Sequence, residues 1–422
     1  MFVIAVFLSV VGIVVGGPSP HADYIEELIK SNAFGGRISD NVLEDATLDL
    51  PGLVRKYNYP LQEHFVTTED GYILGMHRIP HGRVSNNVSE DRPVVFLMHG
   101  WPTSSSDHVI MGPGSGIAYI LADEGYDVWM GNSRGNTFSR RHLSLNPDNS
   151  RDGFWEFSWD EIGEKDLPAM IDYALLHTGK SALHYIGFSQ GTTVFFVMGS
   201  LRPEYNKKII SMHAMAPVAY MEHLKDHIFT VIAPHGRDLT AIASVLGIVE
   251  LFSYREIYTL LGRLFCVDGA ITQPFCSAII FLIAGWNENQ HNTTTIPIIL
   301  GHTPAGTSVK QMAHFGQSIT DKEFRRYDFG LLQNMLKYGT PTPPSYDLSK
   351  VTAPVFLHYS DGDPIAVVAD VDRLYRELGR PMGKFKVSQS TFSHVDFMWG
   401  IDAKTLVYDK VINFMRFMDL QN

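Results

Sequence analysis

The stretch Gly187-Phe188-Ser189-Gln190-Gly191 constrains this chain more than any other. Residues 182–186 before it read as a strand, and 192–198 after it form an apolar, helix-compatible run. Strand, sharp turn and helix around G-x-S-x-G is the context that lifts a serine onto an elbow as a nucleophile. The glycines let strand and helix pack closely around a strained turn. The pattern occurs twice, because Gly131-Asn132-Ser133-Arg134-Gly135 also fits and follows a candidate strand at 126–130. Downstream of Ser133 come Asn136, Thr137, Ser139, Arg140 and Arg141, which are loop residues with no apolar face to bury. The run after Ser189 can bury a helix, so Ser189 is the candidate nucleophile.

Elements on either side extend the pattern. An N-terminal arm over 18–60 reads as irregular, and 63–79 as a hairpin turning on Asp70-Gly71, a two-residue turn signal. Residues 93–98 are a nearly unbroken apolar run, as expected of a strand buried on both faces. A helix near 117–124, a strand at 126–130, a helix over 160–176 with acidic residues early, and a strand at 209–214 follow. The alternation then lapses from about 221 to 340. It resumes with a strand at 353–359, a helix at 367–378, a strand at 384–388 and a last helix at 404–418. Strand–helix alternation interrupted once and resumed predicts an α/β fold, a mostly parallel sheet with helices on both faces and one insertion. Within the insertion, 239–265 is more apolar than a narrow helical stripe requires. It reads either as helices packed on the sheet or as a lid whose apolar side meets lipid.

Composition narrows the partners. With 45% hydrophobic residues among 422, the chain can bury a large core. A net charge of −11 argues against a nucleic-acid surface, which needs clustered Lys and Arg. Residues 1–15 are apolar but for Ser9 and lead into Gly16-Gly17-Pro18, too short to span a bilayer comfortably and suited to a cleaved signal peptide over 1–17. In a secretory chain, Asn87-Val88-Ser89 and Asn292-Thr293-Thr294 are glycosylation acceptors at Asn87 and Asn292. The two cysteines, Cys266 and Cys276, read as a bridge or as two free buried thiols.

A serine hydroxyl needs a base within hydrogen-bond reach, and the base an orienting acid. On such a sheet the chain order is Ser, then Asp or Glu, then His. The loop after 353–359 carries Asp361-Gly362-Asp363, and the loop after the last strand carries His394. Both fall where the carboxyl edge of a parallel sheet gathers functional groups. Of 18 histidines, His394 stands out by that position, while Asp361 and Asp363 are not separated by it. The oxyanion of acyl transfer needs preorganised N–H donors. The candidates are the backbone amides of Gln190, at the start of the elbow helix, and of Trp101, after His99-Gly100.

Several long segments carry a resemblance. TTEDGYILGMHRIP (67–80), VFLMHG (95–100), GNSRGNTFSRRH (131–142), FWEFSWDEIGEKDLPAMIDY (154–173), GFSQGTT (187–193), HTPAGTSVKQMAHFGQ (302–317) and HVDFMWG (394–400) resemble the acid lipase family of α/β-hydrolases, which contains gastric and lysosomal acid lipases. The resemblance runs from about residue 40 to the C-terminus. It implies Ser189 as nucleophile, Asp363 as acid, His394 as base and the Gln190 and Trp101 amides as oxyanion donors, and it makes Ser133 a structural loop residue. It also implies a Cys266–Cys276 bridge and no metal or cofactor. The implied layout is a hydrolase core over 18–219 and 346–422, interrupted by a cap with a lid over 220–345. Two positions depart from the family: Phe188 stands where His is common, and Trp101 where Leu is common.

The implied activity is hydrolysis of neutral lipid esters, such as triacylglycerols or cholesteryl esters, at a lipid–water interface by a secreted or lysosomal enzyme. A hydrolase of smaller soluble esters and a lipid-binding protein on the same scaffold are the alternatives. The second usually lacks a member of the Ser–Asp–His set, and none is missing here.

Overall fold

The computed structural model describes residues 39–83, 91–226, 246–252 and 289–421, with 229, 230, 233, 243 and 287 besides. The expected signal peptide, Asn87, both cysteines and most of 239–265 lie outside the described residues.

The N-terminal arm is not irregular where it is described. It holds α1 (Asp40–Thr47) and α2 (Leu50–Lys56), each opened by a side-chain cap. Ser39 accepts from the Val42 N–H, and Asp49 accepts from the Gly52 N–H at 2.8 Å. These are two ordinary N-cap signals that composition alone hides. Next come β1 (Gln62–Thr67) and β2 (Tyr72–Ile79), an antiparallel pair. Their loop is longer than the two-residue turn expected, because Thr68 N–H and Tyr72 C=O still pair, leaving Glu69–Gly71 as the turn. Gly71 takes φ +95°, as the left-handed closing residue of a three-residue loop.

The sheet continues with β3 (Val94–Met98), followed by α3 (Ile117–Asp123) and β4 (Asp127–Met130), with the short β5 (Arg141–His142) set against β2. A helical turn at Trp159–Glu161 and a π-helical stretch at Ile162–Asp166 run into α4 (Leu167–Thr178). Ser158 and Glu161 close a capping box at its start. The elbow strand β6 (Leu183–Phe188), the elbow helix α5 (Gln190–Leu201) and β7 (Ile209–Met215) follow. Between β7 and the next strand of the sheet lie β8 (Glu250–Leu251), α6 (Ile296–His302), β9 (Thr307–Ser308), α7 (Val309–Asp321) and α8 (Leu331–Tyr338). The sheet resumes with β10 (Val355–Tyr359), α9 (Val368–Glu377) and β11 (Pro381–Lys386), and the chain ends in α10 (Asp396–Trp399) and α11 (Asp409–Asp419). The strand expected at 384–388 starts earlier, on an edge where Pro381 costs no ladder bond.

Strand order is β1-β2-β4-β3-β6-β7-β10-β11, parallel from β4 to β11 and antiparallel at the β1-β2-β4 end. β10 pairs directly with β7, so the sheet picks up beside the strand it left before the insertion. Strands β3, β4 and β6 are buried along their whole length; β3 is an unbroken apolar run, whereas β4 and β6 each bury one polar side chain, Asp127 and His184.

One polar line crosses this core. His184 Nδ1 lies 2.7 Å from Ser211 Oγ, which lies 3.0 Å from His213 Nε2, and His213 Nδ1 lies 3.2 Å from His358 Nε2. Burial drives His213 well below the usual imidazole range and His358 down to about 3. An unfolded chain takes up the proton near pH 6.5, while the folded chain refuses it until about 3, so stability is lost as pH falls below 6.5. For His358 alone the loss is on the order of 3 kcal/mol by pH 4. The buried Asp107, raised to about 7 by desolvation, acts in the opposite sense over the same window. His358→Gln keeps a polar partner for His213 without a titrating group. Its Tm between pH 7 and pH 4 is expected to fall less steeply than that of the wild type; parallel curves would clear this imidazole of the effect.

Candidate active site

At the end of β6 the backbone of Ser189 turns through φ 50°, ψ −118°, before α5 begins at Gln190. A non-glycine residue in that region costs on the order of 1–3 kcal/mol and must be held in place. Ser189 N–H donates to Met215 C=O at 3.0 Å, and Ser189 C=O accepts from Thr192 N–H at 2.8 Å and from Thr192 Oγ1 at 2.6 Å. The flanking glycine is required by space, since a Cβ on Gly191 would lie 2.2 Å from Met98 C=O.

The loops after β10 and β11 bring two more side chains to this elbow. His394 Nε2 lies 2.8 Å from Ser189 Oγ, and its Nδ1 lies 2.8 and 3.0 Å from the two oxygens of Asp363. Asp363 Oδ1 also accepts the N–H groups of Ile365 and Ala366, both at 2.8 Å, which fix the carboxylate. Ser360 Oγ donates to Phe392 C=O at 2.5 Å and joins the two loops. Asp361, the other candidate acid, points to solvent and pairs with Lys386 at 2.8 Å. The arrangement is chemically complete for nucleophilic attack: hydroxyl to Nε2, and Nδ1–H to a fixed carboxylate.

The Gln190 amide is the first of α5 and so has no intrahelical acceptor. The second expected donor lies on the loop after β3, which presses on the elbow closely enough that a Cβ on Gly100 would lie 3.2 Å from Ser189 Cβ. Two contacts from the long connection between β7 and β10 brace these donors, and neither had a signal in the sequence. Gln311 Nε2 donates to Gln190 Oε1 at 2.8 Å, and the indole N–H of Trp101 donates to Thr307 Oγ1 at 2.9 Å. The Trp101 ring also meets Phe315 at 5.5 Å and so ties the loop after β3 to that connection. Phe188 lies beneath the imidazole, ring centroid 5.2 Å from that of His394.

The second G-x-S-x-G is built differently. Ser133 lies beside His99, with Oγ 3.3 Å and N 3.2 Å from its Nε2. His99 Nδ1–H donates to Gly100 C=O at 2.7 Å, where a triad would have a carboxylate, and burial lowers this imidazole to about 4. Its neighbour Arg134 is fully buried between Asp166 and Asp70, bonded to both. This loop supports the fold. The sequon residue Asn292 is exposed, and its Oδ1 accepts from Thr294 N–H and Oγ1 at 3.1 and 2.7 Å.

Comparison with known proteins agrees with this architecture. Residues 50–112 match the family described as a partial alpha/beta-hydrolase lipase region, and 93–244 match the alpha/beta hydrolase fold. The chain is 42% identical over 375 residues to Lipase 1 of Drosophila melanogaster, covering 89% of this chain and 81% of that one. It is 36% identical to gastric triacylglycerol lipase of Bos taurus, covering 90% and 94% of the two chains. With the human lysosomal acid lipase/cholesteryl ester hydrolase, identity is 35% over 92% and 95%.

Proposed function

Since the chain belongs to the acid lipase family of α/β-hydrolases, we propose that it hydrolyses neutral lipid esters, triacylglycerols and cholesteryl esters, through an acyl-enzyme on Ser189. The observation that carries this reading is the 2.8 Å approach of His394 to Ser189 with Asp363 on the far side of the ring. His394 Nε2 takes the hydroxyl proton as Ser189 Oγ attacks the ester carbonyl. The tetrahedral oxyanion is received by the N–H groups of Gln190 and Trp101. His394 then protonates the leaving alcohol, and in the second half-reaction it activates water to release the fatty acid. Asp363 holds Nδ1–H and stabilises the imidazolium in both steps. The chemistry asks for no metal or cofactor.

The described part of 220–345 acts as a cap over this site. Thr307 and Gln311 reach the oxyanion loop and the elbow helix from it. The same segment offers a surface for lipid. Helix α8 turns Leu331, Leu332, Met335 and Leu336 outward, with Leu332 77% and Leu336 86% exposed. It is anchored by Asn334 to Asp328 at 2.7 Å and through Tyr338 to Tyr327 C=O at 2.9 Å. Tyr327 N–H is held by Asp160 at the start of the rod leading to β6, which is the carboxyl edge of the sheet and the side of the active site. No helix among the described residues is long and apolar enough to cross a membrane. The secretory route, to an extracellular fluid or the lysosome, is the destination supported by the apolar N-terminus over 1–17, the exposed Asn292 sequon and the relatives.

Two outcomes test the reading. A fluorophosphonate probe is expected to label the wild type and Ser133→Ala but not Ser189→Ala, with hydrolysis of emulsified triolein following the label; labelling that survives Ser189→Ala would refute the assignment. Replacing Leu332 and Leu336 together by Ser is expected to weaken adsorption to a triolein emulsion about ten-fold, given the apolar area withdrawn. Turnover of a short soluble ester should be unchanged, and an equal loss on both substrates would show that α8 is not the lipid contact.

A further inference from the structure

A second carboxylate lies two residues beyond His394, is fully buried, and plays no part in the mechanism above. Asp396 Oδ2 accepts the N–H of Ser393, the residue just before the imidazole, at 2.6 Å, and Asn287 Nδ2 at 2.7 Å. Its Oδ1 faces His291 Nε2 at 3.3 Å. Asn287 and His291 belong to the insertion, and so does Gln290 between them. Gln290 C=O accepts Ile401 N–H at 3.0 Å, its Oε1 accepts Asp402 N–H at 2.9 Å, and its Nε2 donates to Gln389 Oε1 at 2.6 Å and to the Asp402 carboxylate at 2.9 Å. Thr391 Oγ1 reaches Asn287 Oδ1 at 3.4 Å. Asn287 and Gln290 are 2% and 1% exposed, so these bonds are made away from water, where unpaired partners are costly.

The bonds fall on both sides of His394, at 389–393 and at 396–402, yet 387–395 has no ladder of its own to fix it. A base carried on such a loop is only as well aligned as the groups that hold the loop, and a displacement of about 1 Å costs on the order of a hundred-fold in rate. We propose that Asn287 and Gln290, acting through Asp396 and the loop it anchors, are positioning residues for the His394 imidazole, so that the cap aligns the general base as well as covering the site. The cap thereby acts on all three functional parts: the oxyanion loop through Thr307, the elbow helix through Gln311 and the base through Asn287.

This inference rests on the Ser189 reading, and the experiment separates the two. Full-length Asn287→Ala, Gln290→Ala, Asp396→Ala and Asn287→Ala/Asp396→Ala are compared with the wild type on p-nitrophenyl butyrate, with Ser189→Ala alongside. Asn287→Ala is expected to lower kcat about ten-fold with KM within about two-fold, the signature of a misaligned reacting group and not of lost binding. The double variant should be no slower than Asp396→Ala, since both changes cut one path. If Asp396→Ala does not fold, the two cap-side variants decide the matter alone. Wild-type kcat in both of them, or a change confined to KM, overturns the inference while an inactive Ser189→Ala leaves the hydrolase reading intact. Activity persisting in Ser189→Ala would instead overturn that reading.

Discussion

The structure turns on one strained residue. Ser189 occupies a backbone conformation that side chains disfavour, and its surroundings leave it no relaxed alternative. Its N–H is committed to the neighbouring strand, its C=O to the first turn of α5, and α5 is buried from Gln190 to Ser200. Relaxing the turn would unseat a helix packed on all sides, which costs far more than the strain. The serine oxygen is therefore held above the sheet at the one point where two loops from distant parts of the chain can meet it.

That meeting depends on how the sheet treats the insertion. The chain departs after β7 and returns as β10 beside the same strand. The loops that follow β10 and β11 then open at the carboxyl edge, next to the elbow. Ser189 and His394 are 205 residues apart in sequence and 2.8 Å apart in space. The inserted segment reaches the same edge through Thr307 and Gln311, so the groups around Ser189 come from both sides of the interruption in the sheet.

The part of this legible in the sequence is the part written in local pattern. β3 is readable because a strand buried on both faces is apolar throughout, and β4 and β6 because one polar residue in each, Asp127 and His184, leaves the apolar run recognisable. Ser189 was separable from Ser133 because only one of them precedes a run able to form a buried helix. The errors have equally physical origins. Helices α1 and α2 leave little trace in the sequence because they are short and their evidence is two capping side chains, Ser39 and Asp49, not periodicity. The edge strand β11 is only half covered, so its apolar signal was weak and its start was misplaced. Position in the loop does not separate Asp361 from Asp363, although the resemblance implies Asp363; the loop's path has one facing Lys386 and the other facing His394. Contacts such as Gln311 to Gln190 and Asn287 to Asp396 join residues more than a hundred positions apart, and no local pattern encodes them.

The central claim is that an acyl group passes through the oxygen of Ser189. Mixing enzyme with excess p-nitrophenyl ester, quenching in acid within the first turnovers and mapping the acylated peptide by mass reads this directly. The account predicts the acyl mass on the peptide containing Ser189. The same mass on the Ser133 peptide, or rapid release of the alcohol with no acylated peptide at all, would contradict it.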